Sequence, residues 1–347
     1  MVRDLDRSRD RHPAISIVMP YRDAEATIVR AVASVRNQTF GNWKLLAVND
    51  HSTDRSPAIL AELAAMDPRI QRLESRERGL VAALNTGCEF ARGEFIARFD
   101  ADDECLPHRL ERQLDWARSH DDLGVIGSLV EFGGERTTAE GYARHVDWAN
   151  SLTDHEAIVS ERFIDSPLPH PSVMFPREVL LQHGSYREGD FPEDHELWLR
   201  WIDAGVRFGK VPEVLLRWND PPHRLSRRDR RYSIDATARL RCRHLAIDLA
   251  RRGEQRPLWL WGAGRVTRRR FDALAEHGLD IAGFIDIDPD RIGQKALGRP
   301  VVSASELPPR EDSFIVSGVG VRGAREVIRE LLRASGRREV DDFLIAG

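Results

Sequence analysis

Within residues 94–113, EFIARFDADDECLPHRLERQ, an apolar run ends on four acids, Asp100, Asp102, Asp103 and Glu104. Carboxylates repel one another and lose hydration when buried, so such a cluster needs a cation, donor groups or open water. A hard divalent ion, Mg²⁺ or Mn²⁺, prefers oxygen ligands and keeps much of its coordination sphere for water and substrate phosphates. One acid is enough to cap a following helix, so a solvated capping cluster and a metal-phosphate site both account for the run. A second acidic pair, Glu193 and Asp194, stands at the head of EDHELWLRWIDAG, where Leu197, Trp198, Trp201 and Ile202 fall on one helical side. Acids in a first helical turn interact favourably with its exposed N–H groups. Alternatively, one of the two takes a proton from an incoming hydroxyl.

The elements that must position these residues alternate. AISIVMP (14–20) reads as a strand stopped by Pro20, followed by a helix with Ile28, Val32 and Val35 at helical spacing. WKLLAVND ends a second strand on Asp50, and Ser52 or Asp54 caps a helix containing Ile59, Leu60 and Leu63. A short strand at 70–73, a helix over GLVAALNTGCEFARG, the strand EFIARF, a helix with Pro107 in its first turn and the strand LGVIGSLV continue the pattern. Such alternation indicates an α/β fold with a mostly parallel sheet covered by helices. Ligands in such sheets bind beyond the carboxyl ends of strands, where Asp50 and Asp100 both stand.

The 347 residues suffice for two domains, and 41% hydrophobic with 31% charged content is that of an ordinary globular chain. A net charge of -4 gives no reason to expect nucleic-acid binding. The three cysteines, Cys88, Cys105 and Cys242, are scattered and odd in number, which argues against a disulfide scaffold or zinc cluster and for a reducing compartment. No apolar run approaches the roughly 20 residues of a bilayer span. The polar start, MVRDLDRSRDRH, reads as a disordered tail over residues 1–12 and not as a secretory signal.

After residue 228 the pattern restarts. Residues 229–256 read as a helical linker rich in arginine, and 257–347 as a small domain opened by the strand LWLWGAG, a helix and the strand DIAGFIDID. Gly262 and Gly264 permit a tight turn with close approach to a phosphate or a helix, and Asp286 stands at the distance of a ribose-binding acid. The third glycine of a dinucleotide fingerprint is replaced by Thr267.

Four blocks, ISIVMPYRDAEATIVRAVASVRNQTFGNWKLLAVNDHSTDRS, GLVAALNTGCEFARGEFIARFDADD, HPSVMF and PEDHELWLR, occur in the order found in family 2 inverting glycosyltransferases. Residues 13–228 resemble these enzymes, which implies a GT-A fold using a nucleotide-diphosphate sugar. By that resemblance Pro20, Asp50 and Arg78 belong to donor binding, Asp100 approaches the ribose or sugar, and Asp102 binds the divalent metal. Asp103 and Glu193 support the site, and Asp194 is the catalytic base. The family often carries a phosphate-holding loop near Arg224 and Arg227, where a solvated basic linker is the other reading. The resemblance implies a donor, usually UDP-linked, and a glycan or lipid-linked acceptor. The scattered cysteines and the polar start point to a cytoplasmic location, with peripheral attachment at the inner face of the membrane and homo-oligomers as options.

Departures fall where the base and ribose would bind: Tyr21, Arg22 and Asp23 follow Pro20, Asn49 precedes Asp50, and His51 takes a usual glycine position. Residues 257–347 resemble the small Rossmann-like domains found beside sugar-modifying enzymes, including part of some sugar acyltransferases. That resemblance favours an acceptor-positioning or assembly role, and NAD(P) is not expected. Two other readings stand beside the transferase: a degenerate nucleotide-sugar-binding module, and a nicotinamide-linked sugar-modifying enzyme acting through Gly262, Gly264 and Asp286.

Overall fold

The computed structural model describes residues 12–347 except 222, 223 and 322, so the tail expected at 1–12 lies, but for its last residue, outside the described residues. The chain divides into two compact units. The first comprises residues up to Ile158, Pro167–Gly189 and Ala204–Arg228; the second comprises Val159–Ser166, Asp190–Asp203 and Asp229–Gly347.

The first unit begins with β1 (Ile15–Tyr21), α1 (Ile28–Arg36), β2 (Trp43–Asn49), α2 (Ser56–Met66), β3 (Ile70–Glu74), α3 (Leu80–Phe90) and β4 (Phe95–Arg98). It continues through β5 (Glu104–Cys105), α4 (Arg109–Ser119), β6 (Leu123–Phe132), α5 (Glu140–Ser151) and α6 (His155–Glu161), the last of which crosses into the second unit. Then come β7 (Met174–Pro176), α7 (Arg177–His183) and, beyond α8 (Glu193–Asp203) of the second unit, β8 (Arg207–Trp218). These strands form an eight-stranded sheet in the order β3-β2-β1-β4-β7-β6-β8-β5. Every residue of β1 is buried, as continuous apolar runs in parallel sheets require. The buried side of α1 is Ile28, Ala31, Val32 and Val35, the positions that its spacing marks.

The sheet is parallel across β3, β2, β1 and β4, but β7 runs antiparallel to both β4 and β6, and β5 antiparallel to β8. With β6 and β8 also parallel, the expected parallel pairing holds across β3-β2-β1-β4 and β6-β8 and fails at β7 and β5. An apolar run marks a strand without giving its direction, which is set by the connections. Pro107 also falls outside its helix, since α4 starts at Arg109 and its Leu110 N–H is met by the Gln38 side chain at 3.0 Å.

In the second unit, α9 (Ile234–Arg251) is capped by Ser233, which accepts the Ala236 N–H. It is followed by β9 (Leu258–Trp261), α10 (Arg265–Phe271), β10 (Ile281–Asp286), β11 (Lys295–Ala296), β12 (Arg299–Ser303), β13 (Phe314–Ser317), α11 (Ala324–Ala334) and β14 (Phe343–Ile345). The sheet order is β11-β12-β10-β9-β13-β14, parallel throughout except for the β11–β12 edge pair. Strand order reverses beside β9, so the loops after β9 and β13 flank the switch point. Helix α9, read from the sequence as part of a linker, packs Leu240, Cys242, Leu245 and Leu249 into this unit's core with Leu260, Phe284, Val316 and Leu344. Phe163 and Leu199 join the same core, which is why 159–166 and 190–203 group here and not with the strands around them in sequence. Each such side chain contributes about 1.5–3 kcal/mol by leaving water. The three cysteines are buried free thiols. Among the described residues no helix is long and apolar enough to cross a membrane.

Candidate active site

The first unit gathers its acids at the carboxyl ends of β2 and β4. Asp50, which follows β2, is buried, and its Oδ1 accepts the Gly79 N–H at 2.6 Å. Gly79 caps α3 with φ 136°, a region that side-chain-bearing residues rarely adopt, so the glycine is what lets the helix start present that N–H. Arg78 is exposed and adjoins this contact, while Pro20 is buried within β1. Arg22 lies 3.9 Å from Asp50. His51 and Asp23, two of the departures from the family pattern, both have positive φ, 54° and 47°. His51 therefore occupies a left-handed position that a glycine fills at less cost. Asp23 repays its conformation by accepting the Thr53 N–H at 2.7 Å.

At the end of β4, carboxylate oxygens of Asp100, Asp102 and Asp103 lie within 4.8 Å of one another. Asp103 is 1% exposed; its Oδ1 accepts the Asn219 N–H at 2.8 Å, whereas its buried Oδ2 has no hydrogen-bond partner among the described residues. Burial, and then the charge of Asp100, push Asp102 up to about 6. Burial and the neighbouring Asp102 and Asp100 raise Asp103 well above the carboxylate range. Arg98, buried on β4, pairs with Asp100. The peptide carbonyl of Asp102 is held by Asn219 Nδ2 at 2.8 Å and Arg30 Nη2 at 3.3 Å, and Glu104 pairs with Arg30 at 3.3 Å. Glu104 thus belongs to the framework of the turn, while the three aspartates carry more negative charge than the adjoining Arg98 cancels. Such a set of clustered, under-compensated oxygens suits a hard divalent cation.

Arg224 and Arg227 are not a loosely solvated pair. Arg224 lies over the Trp218 ring at 4.0 Å and the Tyr142 ring at 5.0 Å, and Arg227 over Tyr142 at 4.5 Å. Asp220 pairs with Arg227 at 2.6 Å and with Arg224 at 3.8 Å. The Arg224 charge pulls Asp102 and Asp103 downward, though less than burial and their acidic neighbours push them up.

In the second unit, Glu193 and Asp194 open α8. Glu193 is 3% exposed and receives the Tyr232 hydroxyl at 2.6 Å; burial and the Asp194 charge push it up to about 7. Asp194 Oδ2 accepts the Ser166 hydroxyl at 3.0 Å, and its Oδ1 the His195 N–H at 2.8 Å. Asp286, at the end of β10, accepts N–H groups from Ala263 (2.8 Å), Ile287 (2.8 Å) and Asp288 (3.0 Å), and Arg291 Nη1 at 3.1 Å. Burial pushes Asp286 up, but the Asp288 and Ala263 amides and Arg291 outweigh it and hold the carboxyl below its usual range. Gly262 has φ 112°, and a side chain there would meet Thr267 and Val319 at 3.0 Å; one on Gly264 would meet Arg291 at 3.4 Å. Gly262 thus makes room for the unit's own side chains, whereas the contact at Gly264 is an ordinary one.

Asn219, Arg98, Ser166 and Tyr232 were missed in the sequence. Arginine inside the apolar run EFIARF is the one available signal among them; Asn219 and Ser166 lie too far along the chain from their partners for spacing to indicate them.

Residues 16–184 match the family model "Glycosyl transferase family 2", a stretch that contains the β4 acids and stops short of Glu193. A putative glycosyltransferase of Bacillus subtilis, EpsE, is 29% identical over 249 residues, covering 69% of this chain and 85% of the relative. A UDP-Glc:alpha-D-GlcNAc-diphosphoundecaprenol beta-1,3-glucosyltransferase of Escherichia coli is 39% identical over 101 residues, covering 29% of this chain and 39% of that protein. Among solved structures, a mannosyltransferase of Pyrobaculum calidifontis in complex with GDP-Man and Mn²⁺ superposes with a TM-score of 0.51 at 20% identity, over 77% of this chain and 70% of that one. That likeness shows the α/β GT-A-like fold. Residues 16–184 are accordingly a glycosyl transferase family 2 domain, of a family whose members are inverting hexosyltransferases, and the chain that carries it is a glycosyltransferase.

Proposed function

We propose that this glycosyltransferase moves a sugar from a nucleotide-diphosphate donor, UDP-linked, to a hydroxyl of a glycan or lipid-linked acceptor in a single inverting displacement. The observation that carries the reading is the under-compensated cluster of Asp100, Asp102 and Asp103 at the end of β4. The buried Asp103 Oδ2 and the raised pKa of Asp102 and Asp103 are what carboxylates crowded beyond their own compensation show, and a cation would relieve both. A divalent ion held by Asp102, beside Asp100 and Asp103, would supply the charge that stabilises a departing diphosphate. The solved mannosyltransferase with Mn²⁺ and the glucosyltransferase relative named for UDP-Glc and a diphosphoundecaprenol acceptor support metal, donor class and acceptor class.

Asp50, with Arg78 beside its Gly79 contact, receives the base, and Asp100 the ribose or sugar. Arg224 and Arg227 face the diphosphate with guanidinium groups already oriented by Trp218 and Tyr142, so little side-chain entropy is lost on binding. Asp194 takes the proton of the acceptor hydroxyl, whose oxygen forms the new bond to the anomeric carbon as the bond to the diphosphate breaks. General-base help of this kind contributes about 10²-fold to 10⁴-fold; in-line placement supplies much of the rest. The second unit serves as a Rossmann-like scaffold. Support for that over a dinucleotide site comes from Asp286, whose oxygens are committed to its own loop and to Arg291. A position at the inner face of the membrane follows from a lipid-linked acceptor.

Hydrolysis of a panel of nucleotide sugars by the purified chain with Mn²⁺ or Mg²⁺ tests this reading. Metal-dependent turnover is expected for at least one donor, lost in Asp102→Asn and Asp194→Asn; no donor binding under any metal condition would overturn it.

A further inference from the structure

The second unit recruits two short segments from the middle of the chain, Val159–Ser166 and Asp190–Asp203, and both carry groups that meet at the start of α8. Ser166 donates to Asp194 Oδ2 at 3.0 Å, and Tyr232, from the turn before α9, donates to Glu193 Oε2 at 2.6 Å. Neighbouring acids thus receive separate hydroxyls from separate pieces of chain. The Ser166 segment is itself anchored: Arg162, 1% exposed, pairs with Asp248 of α9 at 3.0 Å, and its carbonyl meets His195 Nε2 at 2.8 Å. Burial lowers His195 to about 4, so its ring is neutral and Nε2 is the donor to that carbonyl. Glu161 of the same segment pairs with Arg329 of α11. A buried ion pair broken on one side leaves an uncompensated charge, which makes Arg162–Asp248 a firm anchor for the stretch of chain that leads to Ser166.

We propose that Ser166 and Tyr232 are positioning residues that tether the two acids of the pair to separate partners, Ser166 orienting Asp194 as the base and Tyr232 holding Glu193 beside it. The inference rests on the reading of Asp194 as the base. A hydroxyl donated to a carboxylate favours its charged form and fixes the orientation of the carboxylate plane. Burial and the Asp194 charge raise Glu193 to about 7, and the Tyr232 hydroxyl opposes that rise. Arg231, beside Tyr232, also acts on Glu193, while Asp165, Arg241 and His244 act on the neighbouring His195 ring.

The test is a titration of the full chain, ¹³C-labelled at its aspartate and glutamate carboxyls, with Asp194→Asn identifying the Asp194 signal. Ser166→Ala is expected to raise the Asp194 titration by about one pH unit, with Ser166→Thr restoring it. Tyr232→Phe is expected to raise Glu193 and leave Asp194 unraised. The acid limb of Mn²⁺-dependent nucleotide-sugar hydrolysis moves with the Asp194 signal in Ser166→Ala, at unchanged melting temperature. An Asp194 titration unmoved by Ser166→Ala overturns the positioning role even where Asp194→Asn is inactive. Retained turnover in Asp194→Asn overturns the base reading instead, and the role of Ser166 in catalysis with it.

Discussion

Asp102 and Asp286 follow or end parallel strands in two different units, and each sits in a turn with acidic neighbours. Their surroundings settle the charge in opposite ways. Asp286 draws three backbone N–H groups and Arg291 onto its two oxygens and titrates below the usual range. Asp102 is crowded by Asp100 and Asp103, lends its peptide carbonyl to Arg30 and Asn219, and is pushed up to about 6. The strand-end aspartate proposed as a ligand is thus the one whose charge the protein leaves unmet. Where the loop meets it, the same residue is part of the frame.

The comparison can be broken by substitution, and the largest effect belongs to the unmet acid. Asp102→Asn is expected to lower metal-dependent turnover by at least about 10²-fold, as losing the group that places a stabilising charge does, while Asp286→Asn leaves the donor KM unchanged; steady-state kinetics on both variants decides. Stability should move the other way. Asp286→Ala strands buried N–H donors and costs about 3 kcal/mol, whereas Asp102→Asn removes a repelled carboxylate and stabilises the metal-free protein at pH 7 by about 1–3 kcal/mol, both read from urea midpoints.

Acidity separates the units as well. A carboxyl raised on folding stabilises at low pH, and that contribution is lost as pH rises through the folded value, so metal-free β4 should lose hydrogen-exchange protection between about pH 4 and 6. Asp286, lowered on folding, stabilises above the ordinary carboxylate range, and its share at β10 is lost as pH falls below it. Exchange at the two strands should thus trend oppositely with pH. The smallest effect is Arg291→Ala, a shift in urea midpoint below that of either aspartate variant, because this guanidinium is 47% exposed and its pairing is screened by water.

Much of this contrast was readable in the sequence as candidates, and little of it as outcome. Apolar runs gave β1, β2 and β4, and helical spacing gave the buried side of α1, because both periods follow from backbone geometry alone. The acids at 100–104 were visible for the same reason that they matter, as charges set against a hydrophobic strand. What decides between cap and ligand site lies elsewhere in the chain. Asn219 reaches Asp103 from 116 positions away, and the partners of Asp286 are amides, which every residue except proline carries. The antiparallel direction of β7 and the packing of α9 in a core were hidden because an apolar pattern shows what is buried and not against what.

The most direct test of the central claim is calorimetric titration of Mn²⁺ into the full chain in the presence of UDP. The account predicts one ion per chain, binding abolished in Asp102→Asn and unchanged in Asp286→Asn. Equal binding by the wild type and Asp102→Asn, or loss in Asp286→Asn alone, would contradict it.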